Sequence, residues 1–258
     1  MMKQRLLPTL VLLGLIGGWE LLVRMAQIPA YTLPAPSLIV QTLIANFGSL
    51  AASWWTTLKI TFGALALACA GGGLIAAMFA LSPLLERALL PVAVVLQVTP
   101  LVAVAPLILI YVESTTAALL LCAWIVAFFP MLSNTLTGLR AAEANLRDLF
   151  RLYRATPMQR LRLLLLPTAL PYFLAGLRIS GGLSLIGAVT AEMVAGAAGR
   201  DTGLASRILE ASFRTETPKM FAALALLVLT GVMIYALFNA LSRRLLGRWH
   251  ASASHRDD

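Results

Sequence analysis

Charge, cysteine and histidine are all scarce in this sequence. Only 12% of its 258 residues are charged, and it contains two cysteines and two histidines. Cys69 and Cys122 both lie inside apolar runs, where cysteine usually packs as a small hydrophobic residue. His250 and His255 lie in a polar tail, without ligand partners at metal-binding spacing. The sequence therefore predicts neither a disulfide nor a metal site.

Lysine is also rare, and its placement argues against one kind of nucleotide site. None of Lys3, Lys59 and Lys219 follows a glycine, so the Gly-Lys-Ser/Thr signature of a phosphate-binding loop is missing. Any ATP chemistry is expected to belong to another chain. Acidic side chains inside the apolar runs are too few to build an acid–base centre. We therefore predict no catalytic residues and disfavour a membrane-embedded enzyme.

Hydrophobic residues are abundant and make up 60% of the chain. A bilayer core about 30 Å thick needs roughly 20 apolar residues per helix. Six such runs are present, at about Leu6–Met25, Thr57–Leu81, Leu89–Val112, Ala117–Leu139, Thr168–Val194 and Lys219–Leu241. The sequence predicts an all-α polytopic membrane protein with about six transmembrane helices. Glycines cluster within these runs and predict close helix packing: Gly14 with Gly18, Gly71–Gly73, and Gly181 with Gly182.

The net charge of +9 is distributed unevenly along the chain. With the amino terminus in the cytoplasm, the inner segments hold Lys3, Arg5, Arg87, Arg140, Arg147, Arg151, Arg154, Arg160, Arg162, Arg243, Arg244, Arg248 and Arg256. The outer loops then hold Arg200, Arg207, Arg214 and Lys219, mixed with Glu113, Asp201, Glu210 and Glu216. This bias follows the positive-inside rule and predicts that both termini are cytoplasmic. Because orientation in a membrane accounts for the charge, nucleic acid is not expected as a partner.

The pattern divides the chain into four segments. Residues 1–26 are predicted to form a transmembrane helix, retained because no small-residue cleavage site follows it, with Glu20 and Arg24 at a spacing that lets them pair. Residues 27–56 form a periplasmic loop with a short surface helix. Residues 57–248 form a core of five transmembrane helices, and residues 249–258 form a disordered cytoplasmic tail. In the outer segment Ala195–Pro218, another short helix is predicted at Ser206–Phe213.

The core includes a basic inner segment at residues 140–167. One helical face of this segment carries Leu146, Leu149, Phe150 and Tyr153, and another carries Arg147, Arg151 and Arg154. Thr156 can cap a second helix, with Pro157 at its first position and Gln159 completing a capping box. We predict a helix, a sharp break near Ala155, and a second helix that ends at Pro167.

Two interpretations of this segment remain open on physical grounds. Basic amphipathic helices commonly lie on the anionic headgroups of the inner leaflet. Alternatively, the helix–break–helix unit is a docking lever by which a soluble partner moves the spans on either side.

Polar residues inside the apolar runs are candidates for lining a substrate pathway, because burying them in lipid is costly. They are Gln97, Thr99, Ser133, Asn134, Ser184, Thr190 and Glu192. The alternative for each is hydrogen bonding between helices. Glu192 lies near the outer end of its run and is predicted to gate entry or to pair with Arg200. Pro100 and Pro106 are expected to break the third run near its middle or, as the alternative, only to bend it.

The inner segment resembles the coupling motif of ABC importer permeases, which is Glu-Ala-Ala, three residues, Gly, nine residues, Ile, any residue, Leu, Pro. The matching positions are Asp148, Leu149, Phe150, Arg154, Leu164, Leu166 and Pro167. Asp replaces Glu, Leu and Phe replace the alanines, and Arg154 stands where the family usually has glycine. A glycine there would permit a left-handed turn.

The resemblance extends from about residue 30 to 248. It includes Trp54–Gly63, Thr99–Leu107, Phe128–Gly138 and Ala191–Met193, which are similar to permeases for nitrate, taurine, alkanesulfonate and pyrimidine-type substrates. It implies an importer permease of a bacterial inner membrane, with a second permease copy, two ATP-binding cassette subunits, a periplasmic binding protein and membrane lipids as partners. The chain itself would hold no cofactor, because the ATPase binds ATP and Mg.

The resemblance also implies roles for the residues of the inner segment. The predicted ATPase-coupling set is Arg147, Asp148, Leu149, Phe150, Arg151, Leu152, Tyr153, Arg154, Thr156 and Gln159. The predicted pathway residues are Gln97, Thr99, Asn134, Ser184, Thr190 and Glu192. A channel or a scaffold without ATPase coupling is the alternative, and it predicts that mutating the inner segment leaves any transport ATPase unaffected.

Overall fold

The computed structural model describes residues 2–196 and 203–246, and within these ranges the chain is helical and has no strand. The helices are α1 (Met2–Met25), α2 (Pro36–Ala45), α3 (Phe47–Leu81), α4 (Pro83–Val98), α5 (Leu101–Tyr111), α6 (Thr115–Arg140), α7 (Ala144–Leu152), α8 (Pro157–Arg160), α9 (Leu166–Ala195), α10 (Leu204–Phe213) and α11 (Thr217–Leu246), with a π-helical turn at Leu161–Leu165. The all-α prediction is confirmed. The predicted disordered tail and Arg200 lie outside the described residues.

Within residues 2–196 and 203–246, four helical stretches are long and apolar enough to cross a membrane. They are α3, α6, α11 and the continuous run Pro157–Ala195, which contains α8, the π turn and α9. The pair α4 and α5 passes the same test together but is bent by 100°. Helix α1 is 24 residues long and covers the first predicted span. By length and composition the described residues therefore contain four spans, or five if the bent pair is one span, against the predicted set of about six.

The third predicted span, Leu89–Val112, is not one straight helix. It breaks at Thr99 and Pro100, whose backbones are both extended. A residue that precedes proline avoids the helical conformation, so the break at Pro100 agrees with the prediction. At Pro106 there is no break, because this residue lies inside α5 and the helix continues past it.

Two other boundaries differ from the prediction. Helix α3 begins at Phe47, well before the predicted start at Thr57, because only Asn46 separates it from the surface helix α2. The second helix of the inner segment does not end at Pro167 but runs on to Ala195. In the π turn, the N–H of Leu166 donates to the carbonyl of Leu161. Since the regular ladder is already interrupted there, a proline without an N–H is accommodated.

The chain divides into two compact units, which are Thr57–Ala195 with Thr230–Asp258, and Met1–Thr56 with Gly196–Leu229. The core of the first unit is built on the packing of α6 against α9. A Cβ added at Gly187 would lie 2.9 Å from the Cα of Ala123, and one at Gly138 would lie 2.9 Å from the Cα of Ala169. These glycines let the two backbones approach closely.

The clustered glycines of the sequence behave differently from one another. A Cβ at Gly72 would lie 3.0 Å from the backbone nitrogen of Leu132, and one at Gly181 would lie 2.6 Å from the ring of Phe238. Both therefore pack closely, as predicted. At Gly14, Gly18 and Gly182 an added Cβ would meet no described atom within 4 Å. The prediction of close packing is wrong for these three within the described chain.

The second unit contains α1, α2, α10, the start of α3 and the first part of α11. Trp19 and Phe221 stack with ring centroids 6.0 Å apart. The predicted pair is present, with Arg24 Nε donating to Glu20 Oε1 at 2.6 Å. Glu20 also accepts from the backbone N–H of Ser37 at 2.9 Å, which ties α1 to α2.

Candidate functional site

The break in the inner segment is a Schellman motif at the carboxyl end of α7. The N–H of Ala155 donates to the carbonyl of Phe150 at 3.0 Å, and the N–H of Arg154 donates to that of Arg151 at 2.9 Å. This pair of bonds requires a left-handed residue between the helix end and the next turn. Arg154 fills that position with φ of 51°. The position where the family usually has glycine therefore adopts the conformation that favours glycine.

The start of α8 is closed by the predicted capping box. The N–H of Thr156 donates to Gln159 Oε1 at 2.8 Å, and the N–H of Gln159 donates to Thr156 Oγ1 at 3.3 Å. Pro157 occupies the first helical position, where its missing N–H costs nothing. Hydrogen bonds therefore close both sides of the break and restrain the turn.

The capped turn presents two large side chains to its surroundings. Leu152 is 81% exposed and Tyr153 is 80% exposed. Phe150 points the other way and packs against the buried core cluster of the same unit. The predicted apolar face is therefore divided, because Phe150 anchors α7 while Leu152 and Tyr153 form its exposed tip. Beside them lies an open notch of about 280 Å³, lined by Leu149, Phe150, Tyr153, Ala155, Gln159 and Leu163.

A second cleft, also of about 280 Å³, lies on the basic side of α7, and we refer to it as the arginine cleft. Its charged lining residues are Arg140, Arg147, Arg151, Arg160 and Glu86. Phe79, Leu139 and Leu165 contribute to its apolar wall. Glu86 forms an ion pair with Arg140, and Arg151 lies 3.6 Å from Asp148.

Most of the predicted pathway residues are hydrogen-bonded within their own helices. Thr99 donates to Val95, Asn134 to Pro130, Ser184 to Gly181 and Thr190 to Ile186, over 2.7, 2.8, 3.0 and 2.8 Å. Ser184 is fully buried, whereas Gln97 is exposed. Intrahelical bonds of this kind satisfy the side chains without a partner helix. Whether they line a pathway stays a prediction.

Glu192 is held in the interior of the larger unit. Its Oε1 atom accepts a hydrogen bond of 2.8 Å from Thr57 Oγ1, and both residues are completely buried. This contact joins α3 to α9. Thr61, one turn further along α3, is also completely buried, but its hydroxyl has no hydrogen-bond partner among the described residues.

Comparison with known proteins decides the family. A family model described as "Binding-protein-dependent transport system inner membrane component" matches residues 70–247. The chain belongs to this family. The permease is therefore a multi-pass component of a membrane transport system.

Two named relatives match the permease over almost its whole length. It is 34% identical to the riboflavin transport system permease protein RibX of Chloroflexus aurantiacus, over 95% of this chain and 90% of the relative. It is 33% identical to the formylaminopyrimidine transport permease protein ThiX of Halalkalibacterium halodurans, over 94% of this chain and 96% of the relative. Among solved structures, a crystal structure of an amino acid ABC transporter with histidines gives a TM-score of 0.65 at 17% identity, covering 79% of this chain and 97% of that one. This likeness shows the fold.

Several site residues of the permease leave no signal in its sequence. Glu86 and Arg140 are 54 positions apart, and Thr57 and Glu192 are 135 positions apart. Periodicity and capping rules act over a few residues, so neither pair could be found from them. From the sequence Arg160 is one of several inner basic residues, and only the structure places it in one cleft with residues of α4, α6 and α7.

The predicted outer helix Ser206–Phe213 is present in the permease as α10. On it, Glu210 accepts a hydrogen bond of 2.8 Å from Arg207, and Arg214 lies 2.9 Å from the same carboxylate. The hydrogen bond from Arg207 lowers the pKa of Glu210 below its usual value. Arg207 also donates to Ser53 at 2.9 Å, which ties α10 to the start of α3.

Proposed function

We propose that this permease is the membrane-spanning subunit of an ATP-driven importer, and that its capped turn receives force from a docked ATPase. The observation that carries the proposal is the exposure of Leu152 and Tyr153, at 81% and 80%, on a turn that is hydrogen-bonded on both sides. Large side chains held on a rigid element lose little conformational freedom on binding, so they are suited to fill a groove on a partner.

The charged residues around the tip have a separate role in this proposal. Arg147, Arg151 and Arg154 are exposed on α7 and the turn. Exposed charges at the rim of an interface chiefly affect the rate and orientation of association. We therefore assign affinity to Leu149, Leu152 and Tyr153, and salt dependence to the arginines and Asp148. Phe150, Thr156 and Gln159 hold the turn in place.

The path from the turn to the spans is short. On one side, Phe150 packs against the core cluster that includes Leu132, Leu136 and Leu139 of α6. On the other side, α8 continues through the π turn into α9 without a loop. A displacement of the turn would thus act directly on the two most closely packed helices of the unit. Rocking of such helices between outward and inward openings is the motion expected for alternating access.

The partners follow from the same proposal. Two ATP-binding cassette subunits would dock on two copies of the permease in a homodimer, and these subunits would bind ATP and Mg. A periplasmic binding protein would deliver the solute, and both termini would face the cytoplasm. The positive-inside distribution of arginine supports this orientation.

For the substrate we propose a small heterocycle of the pyrimidine type, ahead of a sulfonate or nitrate. Two named relatives that match nearly the full length carry riboflavin and formylaminopyrimidine in their names, at 34% and 33% identity. A physical argument supports this order. Among the described residues, the fully buried charged side chain is Glu192, an acid. A tight anion site in the membrane would require a buried cation instead.

The docking proposal is tested by purifying the tagged permease from its native membrane in a mild detergent. Mass spectrometry identifies the proteins that accompany it, and the ATP hydrolysis rate of the preparation is measured. We expect an ATPase subunit to copurify with the unmodified permease. Tyr153→Ala should lose most of this subunit, because the substitution removes the exposed ring at the tip. Tyr111→Ala is the matched control, since Tyr111 is 82% exposed at the end of α5, away from the turn.

Equal retention of the ATPase by the two tyrosine variants would contradict the docking assignment. Reproducible absence of any ATPase from the unmodified preparation would favour the channel or scaffold alternative. The substrate is tested separately, by uptake of a radiolabelled pyrimidine in cells that carry or lack the permease gene. Uptake that does not depend on the permease would exclude that substrate without affecting the docking result.

A further inference from the structure

The arginine cleft carries more positive charge than the carboxylates of the described residues neutralise. Four arginines line it, against one glutamate. Arg140 is paired with Glu86, and Arg151 has only a long contact of 3.6 Å with Asp148. Within the described residues, Arg147 and Arg160 have no carboxylate in salt-bridge range.

Arg160 is the most informative member of the cleft. Its Nε atom is buried, yet it has no hydrogen-bond partner among the described residues. A buried guanidinium N–H without an acceptor is costly, because the atom has lost its water and gained nothing in exchange. An anion seated in the cleft would supply the missing acceptor and neutralise Arg147 at the same time.

The walls of the cleft indicate what kind of anion fits. The cleft lies where α4 begins at Pro83, where α6 ends at Arg140 and where the π turn leads into α9. Its apolar wall contains Phe79, Leu139 and Leu165. Leu84, next to the lining residue Pro83, is 78% exposed. A purely ionic ligand would bind the guanidinium groups and leave the apolar wall exposed to water. An amphiphile would cover both the guanidinium groups and the apolar wall.

We propose that the arginine cleft binds the phosphate of an anionic phospholipid from the adjacent leaflet, with the start of an acyl chain against the apolar wall. Guanidinium groups match the geometry of phosphate oxygens and bind them through paired hydrogen bonds. Basic pockets between helix ends at the cytoplasmic surface are suited to lipid headgroups. The inference concerns the permease without a docked ATPase, because Arg147 and Arg151 line the cleft and also lie at the rim of the proposed ATPase contact.

The proposal is tested on the full permease, purified in detergent and examined by native mass spectrometry while phosphatidylglycerol is added. We expect retained phosphatidylglycerol at concentrations where phosphatidylcholine, which has no net charge, does not remain bound. Arg160→Gln should weaken phosphatidylglycerol binding by about fivefold, the effect of removing one basic contact near a charged membrane surface. Arg87→Gln is the matched control, because Arg87 follows Glu86 on α4 but does not line the cleft.

Arg147→Gln provides a second variant in case Arg160→Gln fails to fold, since Arg147 is exposed and its replacement should not disturb the core. Equal retention of the two lipids would overturn the proposal, as would equal weakening by Arg87→Gln and Arg147→Gln. Displacement of phosphatidylglycerol by millimolar inorganic phosphate would show a site for free phosphate and would also overturn it. The proposal would also be overturned if no lipid is retained and the cleft arginines are shielded from chemical modification only when an ATPase is bound. That result would assign the cleft to a carboxylate of the partner protein.

Discussion

At the scale of single residues, the turn between α7 and α8 combines a favourable hydrogen-bond pattern with an unfavourable backbone angle. Arg154 has φ of 51°, and the left-handed conformation costs a non-glycine residue roughly 1–2 kcal/mol. Gln27 and Thr215 show the same conformation, with φ of 51° and 59°, at the ends of α1 and α10. In all three places Schellman bonds hold a strained residue at the end of the helix.

Replacing Arg154 with glycine should therefore stabilise the permease by about 1 kcal/mol, because glycine adopts this angle without strain. The measurement is the thermal unfolding midpoint of the purified protein in detergent. Thr215→Gly should produce a rise of similar size, and Arg154→Val should lower the midpoint. A fall on Arg154→Gly would mean that the arginine side chain contributes contacts worth more than the strain.

Thr57 and Thr61 offer a matched pair of buried hydroxyls on α3. Thr57 donates to Glu192, whereas Thr61 has no partner among the described residues. Thr57→Val should cost about 1–3 kcal/mol, because a buried carboxylate loses a donor. Thr61→Val should be neutral or stabilising, since it removes a buried hydroxyl that makes no hydrogen bond. Thermal unfolding of the two variants checks this, and equal losses would show that both hydroxyls are bonded in the membrane.

At the scale of elements, the permease depends on the contact between α6 and α9. Gly138 and Gly187 lie where the two backbones approach closely, because neither residue has a side chain that would hold the helices apart. The π turn at the start of α9 is the other unusual feature of this pair. A π turn is often found at functional sites, because its wider ladder can rearrange at low cost. Its position between the capped turn and α9 is where the proposed lever needs a hinge.

Gly187→Ala should destabilise the pair of helices by about 1–3 kcal/mol, the usual cost of overpacking a tight contact. The reason is that the added Cβ would lie 2.9 Å from the Cα of Ala123, a backbone atom that cannot move aside alone. Gly182→Ala, on the same helix, meets no described atom within 4 Å and should raise stability slightly by favouring the helix. Unfolding in detergent distinguishes the two. A similar response to both substitutions would place another helix or a partner against Gly182.

At the scale of the whole molecule, the distribution of charge fixes how the chain should lie in the membrane. The capped turn and the arginine cleft contain most of the basic residues between the second and fifth predicted spans. The segments that are predicted to lie outside carry mixed charges, and on α10 Glu210 pairs with both Arg207 and Arg214. From this distribution the positive-inside rule predicts a cytoplasmic α7 and an external α10.

Cysteine labelling tests this orientation. In a background where Cys69 and Cys122 are replaced by alanine, Tyr153→Cys should react with a membrane-impermeant maleimide only after the cytoplasmic side is opened. Phe213→Cys should react in intact spheroplasts, because Phe213 is 78% exposed at the end of α10. Reaction of both variants from the same side would refute the predicted topology. The labelling pattern does not depend on which solute the permease carries.

The sequence determined the features that act over a few residues. Apolar run length predicted the membrane spans, and the spacing of Thr156 and Gln159 predicted the capping box, because each depends on neighbouring positions along one helix. The break at Pro100 was predictable for the same reason. The bounds of α3 and the continuation of α9 past Pro167 were not predictable, since packing against other helices can extend a helix beyond a local start or stop signal.

Only the tertiary structure decided which distant residues meet. Glu192 is buried against Thr57, and the α7 face is divided between Phe150 and the exposed tip. One cleft brings together Arg140, Arg147, Arg151 and Arg160. All three arrangements depend on how helices pack side by side. Helix packing is set by the fit of many side chains at once, and no single spacing in the chain records it. The local elements could therefore be predicted from the sequence, whereas the sites that form between them could be found only in the tertiary structure.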